Sequence, residues 1–389
     1  MKQQTPFRAI RVRARESWRK LTMSAVTALL PGSTGAASES LGSCTRPRRV
    51  LFVRYEKIGD LLLACGAIRA IAESSASTTV DVLAAPESAP LLRDNPFVRR
   101  VFTFDRHAWW TWPALWRRLR AEHYDIVVDG RINPERYFGT TPLLLAMAGA
   151  PVRIGAAGEG RERVYTHMVP VDPNAHFAEQ SISVTRAFGI DPSTVDITPS
   201  IYLRSEERSE AISRWMTAGS CPDAARILVN VSAGGPRRLW PDDRYITAVR
   251  SVRALLPDAT IMLIGCPADS ARINHIAAAS SAVHIPTRGI REAAALVANC
   301  DLVFTPDTAI SHIAGALGVP VVVMMTSVPE ARMVYSPDAF KPIGCAATIV
   351  RGPGPWLSDL GCEPVCAALE TALDSLAARA NQSREAVRS

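Results

Sequence analysis

The sequence predicts an α/β protein built from two doubly wound, parallel-sheet domains, and three observations carry that prediction. From Arg48 onward, short apolar runs alternate with stretches of helical periodicity, the pattern of a parallel sheet with helices on both faces. The rhythm breaks at residues 190–204, around Pro192 and Pro199, and then restarts, as expected of an interdomain linker. A chain of 389 residues, 48% apolar and 21% charged, is long enough for two or three domains with ordinary soluble cores.

In order, Val50-Leu51-Phe52-Val53-Arg54 reads as a buried strand and residues 60–73 as a helix. Strands follow at Thr79-Val80-Asp81-Val82-Leu83 and Val101-Phe102-Thr103-Phe104, then a helix over 113–122 and a strand at Ile126-Val127-Val128, ending at Asp129-Gly130-Arg131. After the linker comes a helix near 205–218. Buried runs then fall at 227–231, 261–265, 301–305 and 319–324, each long enough for a strand and too short for an independent helix. The expected division is an N-terminal arm over 1–47, a first sheet domain over 48–189, the linker 190–204 and a second sheet domain over 205–349. A C-terminal segment over 350–389 carries a helix near 363–379 and a polar tail.

The net charge of +7 invites a nucleic-acid reading until it is mapped. Residues 1–49 hold ten Lys and Arg against two acids, while the remaining 340 residues carry 34 basic and 35 acidic groups. Basicity therefore belongs to the arm, and no nucleic-acid partner is expected of the body. Within the arm, Phe7, Ile10, Ala14, Trp18, Leu21, Ala25 and Ala28 recur at spacings of three and four among arginines. That describes a basic amphipathic helix, suited to peripheral contact with an anionic membrane through residues 1–30. A disordered basic tail and an organelle transit peptide share the same composition; a secretory signal would need a cleaner apolar core than residues 21–30 provide. No run reaches the eighteen apolar residues of a spanning helix. Eight cysteines scattered through a long chain do not make a disulfide framework. Cys362 and Cys366, with Cys345 upstream, lack a nearby histidine, so structural thiols are favoured over a metal site.

Ligands of doubly wound sheets bind beyond the C-terminal strand ends, and two facing domains are expected to leave a cleft there. Three loops fall at such ends. Arg54-Tyr55-Glu56-Lys57-Ile58-Gly59-Asp60 follows the first strand: Gly59 permits a tight turn, and Asp60 is either a helix cap or a base for a sugar hydroxyl. Ser232-Ala233-Gly234-Gly235-Pro236-Arg237-Arg238-Leu239-Trp240-Pro241 offers small residues and paired guanidinium groups to a diphosphate. Pro306-Asp307-Thr308-Ala309-Ile310-Ser311-His312 joins a buried strand to an Ala/Gly-rich helix, where N–H groups and a partial positive charge await an anion. Helix capping by Asp307 or Thr308 alone is the plainer reading of that third loop.

Together, Ile58-Gly59-Asp60, Arg238-Leu239-Trp240-Pro241 and Thr305 through His312, in this order and spacing, resemble glycosyltransferase family 9, the heptosyltransferases, over roughly residues 48–375. The resemblance implies a GT-B fold with Rossmann-like domains, the C-terminal one binding a nucleotide-diphospho-sugar, expected to be ADP-heptose. It implies the N-terminal one for a lipid-linked lipopolysaccharide core acceptor, at the cytoplasmic face of the inner membrane. Asp60 matches the family's proposed general base. Ser232, Arg238, Asp269, Asp307, Thr308, Ala309 and His312 fall at donor-binding positions, and Gly59 is assigned to the acceptor; Arg131, at a strand end, is either a contact for acidic groups of the acceptor or an ordinary surface ion pair. Ala309 stands where the family commonly has Gly, and Arg238 where it often has Lys. Transfer is expected to invert the anomeric carbon without a metal cofactor, with Arg238 and the helix start at Thr308 facing the leaving diphosphate; no Asp-x-Asp occurs in the chain.

Two rival functions stay open at this point: a sugar-nucleotide epimerase with similar domains, and a non-catalytic, membrane-associated nucleotide-sugar binder. Trp109, Trp110, Trp112 and Trp116 precede Arg117-Arg118. Packing beneath the first domain is expected ahead of contact with a lipid. His176, near Glu179, is expected to be structural.

Overall fold

The computed structural model describes residues 48–132, 140–221, 224–328 and 337–388, with side chains up to residue 378. The arm, including its amphipathic stretch, lies outside the described residues. The chain divides into two compact units. One takes the described residues up to Glu56 with Gly66–Pro86 and Pro96–Asp196; the other takes Lys57–Cys65, Glu87–Asn95 and the chain from Ile197. Packing thus cuts across chain order: two short segments inside the 48–189 span group with the C-terminal half.

In the first unit, β1 (Arg48–Arg54), β2 (Thr78–Ala84), β3 (Arg100–Thr103), β4 (Ile126–Asp129), β5 (Val152–Ala156) and β6 (His167–Val169) form one parallel sheet, ordered β3-β2-β1-β4-β5-β6. The central strand β1 pairs Val50 with Val80 on one side and Ile126 on the other. Its near-continuous apolar sequence reflects burial on both faces. The helix expected over 60–73 is two helices, α1 (Ile58–Leu63) and α2 (Cys65–Glu73), divided where Ala64 N–H tightens onto Leu61 O at 3.1 Å. Next come α3 (Trp112–Ala121), α4 (Thr141–Ala148) and α5 (Phe177–Ile182). His176 is structural: its Nδ1 accepts from Ala178 N at 3.2 Å while Glu179 accepts from His176 N, a reciprocal cap for α5.

The expectation that the tryptophans pack inward is overturned. Leu115 and Leu119 fill the inward stripe of α3, and only Trp112 joins them, against Phe104 at 5.3 Å and with its Nε1 donating to Asp105 O. Trp109, Trp110 and Trp116 keep 70%, 66% and 53% of their surface in solvent.

The second unit repeats the first. It contains α6 (Ser205–Thr217), β7 (Arg226–Asn230), α7 (Asp242–Leu255), β8 (Thr260–Ile264), α8 (Ser270–Ser280), β9 (Val283–His284) and α9 (Ile290–Val297). After these come β10 (Leu302–Pro306), α10 (Ala309–Leu317), β11 (Val321–Thr326), β12 (Ala347–Gly352) and α11 (Glu363–Arg388). The sheet order is β12-β11-β10-β7-β8-β9. Read from the other edge this is the order of the first sheet, so direction reverses beside β1 and β4 in one and beside β7 and β10 in the other. Trp240, Tyr245, Phe304, Ile261 and Leu369 are among its core. Cys362, just before α11, and Cys366, on it, hold their sulfurs 3.4 Å apart, and burial first, then the neighbouring thiol, pushes Cys362 up to about 12. Among the described residues no helix is long and apolar enough to cross a membrane.

One buried cation shows why residues 87–95 join the second unit. Arg291, on α9, donates to the carbonyls of Pro90, Arg93 and Tyr202 at 2.8–3.1 Å and to the carboxylates of Asp94 and Glu207. Its guanidinium closes the segment onto α6 and α9. Removing one partner of such a cluster strands the others, so Arg291→Met should lower the stability of this unit by about 3 kcal/mol, read as an earlier urea midpoint. The Arg291 hydrogen bond also holds the Glu207 carboxyl below its ordinary pKa. That contribution is present above the ordinary glutamate range and is lost as pH falls through the depressed value. Acid should therefore destabilise the wild type more steeply than Arg291→Met.

Candidate active site

The three candidate loops are placed by strand ends, and the most informative junction is that of β7 with β10. There the second sheet reverses direction, leaving a crevice between helices that run to opposite faces. Asn230, the last residue of β7, is buried, and its carboxamide ties the junction together. Nδ2 donates to Ser232 O at 3.1 Å, Thr305 Oγ1 at 3.0 Å and Thr308 Oγ1 at 3.2 Å; Oδ1 accepts from Ser232 N at 3.3 Å. Thr308 is the N-cap of α10, accepting from Ile310 N at 3.3 Å. Capping by Thr308 is thus real, and it fixes where the N-terminus of α10 points. Gly318, with φ of +72°, ends the same helix in a left-handed turn.

Around this junction the donor-loop residues converge. Arg238 Nη1 donates to Asp307 O at 3.2 Å and lies 3.4 Å from Asp307 Oδ2, so the guanidinium is held at the start of α10 beside Ala309, its first residue. The Trp of the Arg-Leu-Trp-Pro run supplies the anchor. Trp240 is fully buried against Tyr245 and Phe304, with Nε1 donating to Leu360 O at 2.8 Å. Arg272 braces the loop from below, reaching Val231 O, Trp240 O and Asp242 at 2.6–2.7 Å. Ser232 Oγ donates to Asp269 Oδ2 at 2.5 Å and accepts from Cys266 N at 2.8 Å. The hydroxyl is therefore a strut that orients Asp269. A Cβ on Gly265 would sit 2.3 Å from that oxygen.

Asp60 enters the same unit from the other end of the chain. It is the third residue of α1, whose N-cap is Lys57, so Asp60 is not the cap. Helix α1 lies against α10 at a glycine contact: a Cβ on Gly59 would approach His312 Cδ2 to 2.5 Å. His312 itself is buried. The absence of a side chain at Gly59 lets α1 approach the histidine ring, and the next residue is Asp60. The structure thus gathers Gly59, Asp60, Ser232, Arg238, Asp269, Asp307, Thr308, Ala309 and His312 into one unit. Arg131 belongs to the other, at the reversal between β1 and β4. It is buried there, donating to Tyr55 Oη, Thr141 Oγ1 and Glu56 Oε1.

Chemically, the N-terminus of α10 and Arg238, itself paired with Asp307, present N–H donors that suit an anion, and α1, which carries Asp60, packs on the same helix. Among the described residues, no group of three or more His, Cys, Asp or Glu side chains is placed to hold a metal ion. Sequence reading missed Asn230 and Arg272. An asparagine closing an apolar strand, just before the small-residue loop, was the signal for the first; Arg272 sits on a helix face and carried none.

The model of glycosyltransferase family 9 (heptosyltransferase) matches residues 112–355, more than half of the chain. Lipopolysaccharide heptosyltransferase 3 of Escherichia coli K12 is 22% identical over 287 residues, covering 69% of this chain and 79% of the relative. A glycosyl transferase family 9 structure from Veillonella parvula DSM 2008 superposes with a TM-score of 0.72 at 18% identity, covering 84% of this chain and 97% of that one. The E. coli ADP-heptose LPS heptosyltransferase II structure gives 0.65 at 21%, covering 84% and 99%. These likenesses show the GT-B fold expected from the loops, and the family match sets aside the epimerase and the non-catalytic binder. With its motifs on the strand ends that the fold demands, the chain belongs to glycosyltransferase family 9 and is a glycosyltransferase.

Proposed function

We propose that this enzyme moves a heptose, or a closely related sugar, from an ADP-heptose-like donor to a lipopolysaccharide core acceptor. The names of the relatives supply the sugar and acceptor classes. The observation that carries the reading in this chain is the packing of α1 on α10 at Gly59 and His312, which puts the Asp60 carboxylate on a helix seated against the one that begins at the Asp307-Thr308 loop. Acid-base and phosphate-binding groups thereby share one rigid support.

In the proposed reaction the Asp60 carboxylate takes the proton of an acceptor hydroxyl as its oxygen bonds to the anomeric carbon. The bond from that carbon to the diphosphate oxygen breaks on the opposite face, inverting configuration, and the nucleoside diphosphate leaves with the bonding electrons. Arg238 and the N-terminus of α10 stabilise the charge gathering on the leaving diphosphate, a task that needs no metal. Asp269, oriented by Ser232, is an acceptor for hydroxyls of the donor's nucleoside. The proposed setting is the cytoplasmic face of the inner membrane, where a lipid-linked acceptor of this kind is built.

Incubation with ADP-heptose and a heptose-deficient core lipid should release ADP and add one heptose mass to the acceptor. Asp60→Asn should slow turnover by about 10²–10⁴-fold with donor affinity nearly unchanged, because the carboxylate is needed for the proton. Donor binding without any mass gain, for ADP-heptose and for other sugar nucleotides alike, would sink the reading. A second expectation tests the support itself. Gly59→Ala forces a methyl into the His312 ring, so α1 must shift; stability should fall by about 1–3 kcal/mol and kcat by about tenfold to a hundredfold. Unchanged kcat in a correctly folded Gly59→Ala protein would show that the α1 position does not set the chemistry.

A further inference from the structure

The most conspicuous surface that the proposed reaction leaves unused is the turn and helix around α3. Trp109 and Trp110 form a T-shaped pair, with ring centroids 6.1 Å apart, in a 3-10 turn that runs directly into α3, and Trp116 follows on the helix. All three are more than half exposed, although an indole is among the side chains that gain most from burial. Exposed aromatic surface of this kind marks a contact site. Charge says what the contact is. From Arg106 to Arg120 the chain holds four arginines and no acid, and Arg106, Arg117 and Arg120 are exposed like the indoles. By helical spacing Trp116, Arg120, Pro113 and Arg117 fall within a sector of roughly 100° on the flank of α3, beside the buried stripe of Leu115 and Leu119.

We propose that the surface made by Trp109, Trp110, Trp116, Arg106, Arg117 and Arg120 docks on the headgroup layer of an anionic lipid bilayer. Indole rings prefer the depth of the headgroups, where the ring is sheltered and the N–H stays hydrated. Guanidinium groups beside them meet the lipid phosphates, and their summed attraction falls off with salt. A protein partner would have to bring a single-signed acidic face to the same patch, whereas an anionic bilayer presents one as a matter of composition. The surface is distinct from the N-terminal arm, and the inference stands on exposure and charge without needing the donor or acceptor proposed above.

The test uses the full chain, so that the arm is present in every form. Vesicles of phosphatidylcholine alone and of phosphatidylcholine mixed with phosphatidylglycerol are pelleted with wild type, with W109S/W110S/W116S and with R106E/R117E. Wild type should partition onto the mixed vesicles and much less onto neutral ones. Each variant should lose about tenfold or more of that partitioning, with thermal unfolding unchanged because the replaced side chains lie in solvent. Brominated acyl chains should quench part of the wild-type tryptophan emission, and that part should vanish in W109S/W110S/W116S. No vesicle binding by wild type overturns the proposal. So do equal binding and quenching in the triple variant, which would hand the membrane contact to another surface. A lipid-free self-association abolished by the tryptophan changes would assign the patch to a second copy of the chain, and would also overturn it.

Discussion

The carboxamide of Asn230 is the interaction on which the rest of the site depends. In a sheet whose order reverses between β7 and β10, these two strands are neighbours in space while 75 residues separate Asn230 from Thr305 in sequence. Backbone pairing aligns the strands but says nothing about the loops beyond them. Asn230 can serve both loops because it carries donors and an acceptor on one rigid plane. It gives hydrogen atoms to Thr305 and Thr308 while accepting from Ser232 N. An aspartate there would lose the donors, and a leucine would leave Ser232 O and the Thr305 hydroxyl, both on buried residues, without the Asn230 donor. Through Thr308 the bonds set the first turn of α10; through that helix they set His312, and through the glycine contact they set α1.

Much of this was legible in the sequence, for reasons that differ from element to element. The central strands β1, β2, β4, β7, β8, β10 and β11 are buried on both faces, so their apolar runs announce them. The edge strands β6 and β9 did not announce themselves. β6 is His167–Val169 and β9 is only Val283–His284, too short to build a period, and their side chains are partly exposed. The break between α1 and α2 was invisible because Leu63, Ala64 and Cys65 are apolar whether or not the helix continues. The boundary between the two compact units falls beside that tightened turn, after Cys65.

The site shows the same division. Motif residues Asp60, Arg238, Asp307, Thr308 and His312 were readable because strand ends and helix starts restrict which side chains can stand there. The supporting residues were not. Arg272 acts through backbone carbonyls that any sequence would supply, so nothing in the chain advertises its targets. Ser232 Oγ also braces Asp269, a contact that the loop's composition did not advertise. The tryptophans erred in the opposite direction: an aromatic stripe next to Leu115 and Leu119 has the composition of a core face. Only the structure shows that the two leucines already fill the inward sector.

The pairing of Arg238 with Asp307 bears on how an anion would be received. Both side chains are largely withdrawn from water, at 18% and 23% exposure, so the guanidinium has already surrendered much of its hydration. It is also already aimed at the start of α10. Under the proposed reaction, an incoming diphosphate would meet a cation whose desolvation and orientation were met in folding, and binding would exchange one anionic partner for another instead of stripping a hydrated side chain.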